Sequence, residues 1–234
     1  HKCFYLSYLH EPRLERDENA FAQWGTLGHS IFEWYADGAI ELYEMGEIYE
    51  NEYDETVTLD FPPNKYVDLN SNYYDKGLSY FENFNGFPDN WEPVDSEKEF
   101  HLDIDGNKFI GYIDLIVKDK NTGRYIIVDH KSKSKFENAT VLREYARQLY
   151  LYSLYIKETY GEYPSQLIFN MFRANQIITI EFEETDLKEA VKWFTDTIQE
   201  IKKDRKFQDV IAAKYRLKKK SLREFKKDDF FCNE

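Results

Sequence analysis

The stretch from Lys108 to Lys135, KFIGYIDLIVKDKNTGRYIIVDHKSKSK, limits what this chain can fold into more than any other. It holds two apolar runs of strand character with a carboxylate inside each, Asp114 and then Asp129, and a lysine, Lys131, two residues beyond the second. The segment Asp119-Lys120-Asn121-Thr122-Gly123 between them has hairpin-turn chemistry, because Asn and Gly accept positive φ. Strand side chains alternate with period two, so Asp114 is expected to share a face with Ile110, Tyr112 and Ile116. Asp129 and Lys131 are expected to point with Tyr125 and Ile127. A hairpin closing about Asn121-Thr122 sets Asp114 opposite Asp129, with Cβ atoms roughly 5 Å apart. A bulge at Gly123 would move that register by one.

Two carboxylates that close must protonate or share a cation. Hard oxygen ligands at this reach suit Mg²⁺ or Mn²⁺. Lys131 on the same face adds a fixed positive charge suited to an anionic substrate. The competing reading is a solvent-facing hairpin with scattered charge. It fits poorly with an acid between Ile113 and Leu115, and with another straight after Ile126-Ile127-Val128.

These residues resemble the core of the PD-(D/E)XK nuclease superfamily, in particular its RecB-like exonuclease branch. That branch carries a G-x-I-D strand, matched by Gly111-Tyr112-Ile113-Asp114, and a D-x-K triad, matched by Asp129-His130-Lys131. Its G-x-x-x-H motif falls on Gly25 and His29, within a long helix expected from Asn19 to Gly46. Here the glycine would let the helix approach the sheet, and the histidine would serve as a neutral nitrogen ligand. Its E-x-x-F setting matches Glu97-Lys98-Glu99-Phe100, which makes Glu97 a candidate site acid and Glu99 a rival. Its Q-x-x-x-Y motif falls on Gln148 and Tyr152, which share one face of a helix expected from Ala139 to Tyr160 and ended by Gly161. Gln148 would orient a ligand or phosphate, and Tyr152 would stack on a base or bond a phosphate. The departures are the absence of a proline before Asp114 and the presence of His130 where relatives carry an aromatic or apolar residue. His130 is expected to face away from Asp129 and is not assigned to the metal.

The resemblance implies an α/β fold, a restriction-endonuclease-like core with a mixed sheet flanked by helices. It implies metal-dependent hydrolysis of DNA, with His29, Asp114 and Asp129 holding Mg²⁺ or Mn²⁺. Lys131 would position the attacking water or stabilise the transition state. Single-stranded DNA or duplex ends are the expected substrate, in a repair, recombination, phage or CRISPR setting and within a larger complex. In that branch a cysteine before an aromatic helix joins an iron–sulfur cluster whose other ligands follow the nuclease core. Cys3 and Cys232 would supply two of the four thiolates, so a cluster is an expectation for the intact protein and not for this chain. The rival classes are a non-catalytic DNA-binding protein with a nuclease fold and a partner-binding module.

The remainder of the chain sets bounds. At 234 residues it is long enough for one sizeable domain, expected to span 1–234. A helical and loop insertion is expected over about 47–93, with a second helix from Leu69 to Asn85 and Pro62-Pro63 breaking regular structure before it. Two cysteines argue against a disulfide-stapled secreted fold, and no run approaches a membrane span, so a cytoplasmic protein is expected. The chain starts at His1 without Met and reads as a trimmed sequence. Net charge is −13, yet Lys202 to Lys227 holds 12 basic and three acidic residues. That segment, within a basic C-terminal region over about 202–234, reads as a backbone-tracking patch or a solvated helix face with a tail. Later β-runs are expected at Ser165–Arg173 and Gln176–Phe182, and an amphipathic helix at about Asp186–Lys203.

Overall fold

The computed structural model describes residues 18–215, with side chains up to Lys203. Cys3, Cys232 and the basic region past Tyr215 lie outside the described residues. The described residues divide between a compact unit, Glu18–Val191, and a second one that begins at Lys192.

In the larger unit, α1 runs Ala20–Ala36. Asn19 caps it, its side-chain oxygen accepting the Ala22 N–H at 3.0 Å, which satisfies one of the free donors of the first turn. The helix stops at Asp37, and the chain turns away on Gly38 at φ 70°. The expected continuation to Gly46 is therefore replaced by a turn, a 3₁₀ turn at Leu42–Glu44, and α2 at Met45–Thr56. This second helix lay in a segment read as irregular. Its large buried side chains, Met45, Tyr49 and Tyr53, recur every four residues but stand among Glu47, Glu50, Glu52, Asp54 and Glu55. Helix α3, Leu69–Glu82, follows the Pro62-Pro63 break and is capped by Asp68.

The five-stranded sheet has the order β1 (Trp91–Ile104), β2 (Asn107–Asp119), β3 (Tyr125–His130), β4 (Gln166–Met171), β5 (Gln176–Glu181). Neighbours are antiparallel except β3 and β4, which are parallel across α4, Ala139–Tyr160. This is a mixed sheet flanked by helices, as the restriction-endonuclease-like expectation required. The β1–β2 turn places Asp105 at φ 52° and Gly106 at φ 75°, the pair of positive φ values of a type I′ hairpin. The β2–β3 turn is held by Asp119, whose carboxylate accepts from the Asn121 N–H, the Thr122 hydroxyl and the Asn90 amide. Helix α4 begins at Asn138, which accepts two backbone N–H groups, and ends at Gly161 in the left-handed conformation.

Helices α1, α2 and α3 share one aromatic core with Phe172, the first residue of a 3₁₀ turn after β4. Within it the Trp24 indole N–H donates to the Tyr49 hydroxyl at 2.8 Å, and that hydroxyl donates to the Tyr73 carbonyl at 3.2 Å. The inserted region is thus the other half of the packing that holds α1 in place. A last helix, α5, runs Glu184–Tyr215. Its first turns belong to the larger unit, and Arg147 of α4 reaches Glu189 there at 2.7 Å. The second unit is described only by the remainder of that helix, from Lys192. Among the described residues no helix is long and apolar enough to cross a membrane.

Candidate metal centre and active-site groove

Three adjacent strands bring the acids together. The β2–β3 ladder runs from Lys118↔Tyr125 to Leu115↔Val128, so the next step faces Asp114 with Asp129, as the hairpin register required. There the backbone ladder gives way to a side chain: Asp114 Oδ2 accepts the His130 N–H at 2.6 Å. On the other side, β1 pairs Ser96 with Leu115 and Lys98 with Ile113, and Glu97 falls between them beside Asp114. Glu97 has φ 41°, a left-handed conformation inside a strand that costs a non-glycine residue on the order of 1–3 kcal/mol.

Helix α1 supplies the fourth group. His29 Nδ1 lies 3.5 Å from Glu97 Oε1 and 3.5 Å from Asp114 Oδ2, and one donor atom from each residue lies within 4.8 Å of the others. The helix comes this close because two glycines face its neighbours. A Cβ on Gly28 would stand 2.6 Å from the Phe172 ring, and one on Gly25 3.3 Å from Ser132 Oγ. Gly25 thus meets the loop after Lys131, while the tighter approach belongs to Gly28.

Asp129 is 3% exposed and is held by Lys131, whose ammonium lies 2.7 Å from Oδ2 and donates to Oδ1 at 3.0 Å. The contact to Oδ2 is close but poorly directed, so that buried oxygen accepts no hydrogen bond. Burial, and next the neighbouring Asp129 charge, push Asp114 up to about 7. Burial raises Asp129 as well, against the pull of Lys131. Burial alone would lower His29 and Lys131. Glu97, with Asp114 and Asp129, outweighs it at His29, and Asp129 outweighs it at Lys131, so both bases are raised. A crowd of acids short of positive charge, with one buried oxygen that accepts no hydrogen bond, is a donor set that fits a hard divalent cation.

His130 belongs to the support of this centre. Its ring stacks flat on Phe32 at 3.9 Å and is 2% exposed. Asn170 Oδ1 accepts from the Tyr80 hydroxyl at 3.1 Å, so its amide nitrogen faces His130 Nδ1, 3.0 Å away, and donates to it. Burial holds His130 well below the ordinary histidine range, and it stays neutral. The Asn170 carbonyl also accepts the Lys131 N–H at 2.8 Å. Neither Asn170 nor Tyr80 had been singled out from the sequence. The available signal was a lone amide inside the apolar run Leu167-Ile168-Phe169-Asn170-Met171.

Gln148 donates to the Tyr152 hydroxyl at 2.6 Å, so the Q-x-x-x-Y pair does meet across one helical turn. The Tyr152 ring, however, is 4% exposed and packs edge-on against Phe100, with no room left for a Cβ on Gly111 beside it. Its ring is core, and only Gln148 of the pair is exposed. Glu99 lies away from the centre, in contact with His101 at 3.0 Å. An open groove of about 650 Å³ runs over His29 and Glu97 between Gly25, Thr26, Tyr112 and Ser132.

A mixed α/β sheet with acids on adjacent strands, and a lysine two residues past the second, is the scaffold of metal-dependent nucleases. The model of the PD-(D/E)XK nuclease superfamily matches residues 2–217, and the chain belongs to that superfamily. Comparison with curated proteins found no match.

Proposed function

We propose that this protein is a Mg²⁺- or Mn²⁺-dependent DNA exonuclease of the RecB-like branch. The observation that carries the reading is the convergence of His29, Glu97 and Asp114 within 4.8 Å, beside an Asp129–Lys131 pair at 2.7 Å. His29, Asp114 and Asp129 would hold the cation, with Glu97 at its edge. When bound, the cation supplies an acidified water and neutralises charge on the scissile phosphate. Lys131 keeps its proton beside Asp129, and its ammonium is the group that orients the attacking water or meets the charge growing on the phosphoryl oxygens. Gln148, exposed on α4, would guide the strand. Cys3 and Cys232 support an iron–sulfur cluster in the intact protein only through the resemblance. A cytoplasmic role in repair or recombination, within a larger complex, belongs to the same proposal.

The test is cleavage of end-labelled single- and double-stranded DNA in Mg²⁺, Mn²⁺ and EDTA, beside Asp114→Ala and Lys131→Ala. Metal-dependent degradation that both substitutions abolish is the expected result, with a product ladder that starts from one end. Products of internal cutting would replace exonuclease by endonuclease action. DNA bound without turnover would leave a clamp with a nuclease fold. Neither binding nor cleavage would favour a partner-binding module.

A further inference from the structure

The Q-x-x-x-Y tyrosine has its ring in the core, so a base entering the groove must meet a different surface. Along β2, Ile110, Tyr112 and Asp114 alternate with the buried Gly111 and Ile113. Tyr112 is 53% exposed and Ile110 56%. Other aromatic rings are exposed in this molecule, Tyr43 and Tyr66 among them, but Tyr112 is the exposed one that lines the groove with His29 and Glu97. It stands two residues from Asp114, about 7 Å along the strand. Gly111 fixes the backbone beneath it: a Cβ there would lie 2.4 Å from the Phe100 ring and 2.7 Å from the Tyr152 ring, so the strand is pressed down on both.

The charges around Tyr112 say which part of a nucleic acid belongs there. Its β1 partner is Glu99, whose carboxylate also touches the His101 imidazole at 3.0 Å. A surface with a carboxylate and an apolar shoulder repels phosphate and suits the face of a base. The lysines that suit phosphate, Lys131 and Lys133, belong to the segment after β3, whose Ser132 lines the same groove. A base inside a duplex already has both faces stacked, so an internal paired base cannot occupy the Tyr112 ring, whereas an unpaired base can.

We propose that Tyr112, shouldered by Ile110, is the stacking platform for an unpaired base next to the scissile phosphate, and that the groove accepts a single strand. This rests on the nuclease reading above and adds the substrate form and the residue that selects it. The full chain is tested with a single strand carrying 2-aminopurine, and with the matching duplex, in Ca²⁺ for binding and Mg²⁺ for turnover. Tyr112→Ala is expected to weaken single-strand binding about tenfold, with loss of the 2-aminopurine quench and no change on blunt duplex. Tyr112→Phe is expected to keep both, because the ring and not the hydroxyl carries the contact. Tyr112→Ala should raise KM more than it lowers kcat. Unchanged single-strand binding in Tyr112→Ala, or equal losses on single strand and duplex, overturns the platform while the parent's cleavage leaves the nuclease reading intact. A parent that neither binds nor cleaves either substrate overturns both.

Discussion

Asp114 accepts the backbone N–H of His130 at 2.6 Å, in the place where a backbone carbonyl would continue the β2–β3 ladder. One carboxylate therefore closes the sheet at the site and also faces His29 and Glu97. Its two tasks separate on substitution, because the first needs an acceptor and the second needs a charge.

Asp114→Asn keeps an oxygen for the His130 N–H and removes the charge. It is expected to fold with unchanged or slightly higher stability and to lose metal-dependent cleavage. Asp114→Ala leaves the His130 N–H without its partner in a part-buried place and is expected to cost about 1–3 kcal/mol. Urea denaturation of the two variants beside the parent checks this. Equal losses in both would mean that the hydrogen bond contributes nothing.

The acids also set a pH dependence. In the metal-free protein Asp114 is raised to about 7, first by burial and then by Asp129. Folding then favours its protonated form, so this contribution is fully present below the unfolded carboxyl pKa near ~4 and is lost as pH climbs through about 7. His29 is raised as well, against its own burial, by Glu97, Asp114 and Asp129. Its stabilisation is likewise present below ~6.5 and lost above its raised value. Metal-free stability should therefore fall between about pH 5 and 8, and the rise in Tm on adding Mn²⁺ should grow over that window, since protons compete for the same atoms. Thermal melts in EDTA and in Mn²⁺ at three pH values measure it. A Mn²⁺ shift that is flat with pH would remove these groups from the metal site.

Much of this was legible from local pattern. The turn at Asp119–Gly123 and the bounds of α4, Ala139 to Tyr160 ended by Gly161, each follow from chemistry contained within a few residues, and register then carried Asp114 to Asp129. What was not legible depends on contacts distant in sequence. The break at Gly38 looks like an ordinary helical glycine until its φ is known, and α2 was hidden because its buried Met45, Tyr49 and Tyr53 sit among acids. The burial of the Tyr152 ring is set by Phe100 and by the strand at Gly111, neither of which is near it in sequence.

Asn170 links three elements: its amide meets His130 Nδ1 and the Tyr80 hydroxyl, and its carbonyl holds the Lys131 N–H. Asn170→Ala strands the Tyr80 hydroxyl in a buried place and takes the donor from His130, so a loss of about 1–3 kcal/mol is expected. Cleavage should fall too, although Asn170 touches no substrate, because the lost amide frees the ring of His130, whose backbone N–H donates to Asp114, while the backbone carbonyl that holds the Lys131 N–H remains. Tyr80→Phe removes one end of the link and should cost less. A double-mutant cycle in urea, read beside kcat, checks the coupling, and additive losses would show the two contacts to be independent.

Gly28 and Gly25 make the last test, because both let α1 carry His29 to the acids but by unequal margins. A Cβ at Gly28 would stand 2.6 Å from the Phe172 ring, which is wedged between Trp24, Phe32 and Phe81 and has little freedom to yield. Gly28→Ala must therefore push α1 outward, with an expected cost of about 1–3 kcal/mol from overpacking. The shift also moves His29, one residue on, so metal affinity should drop further than stability alone explains. At Gly25 the nearest atom is Ser132 Oγ at 3.3 Å, in a loop, and a few tenths of an ångström relieve the contact. Gly25→Ala is expected to stay within about 0.5 kcal/mol of the parent in urea, since an alanine inside a helix also restricts the unfolded chain. If Gly25→Ala proves the more damaging of the two, His29 is positioned by the Ser132 loop and not by Phe172.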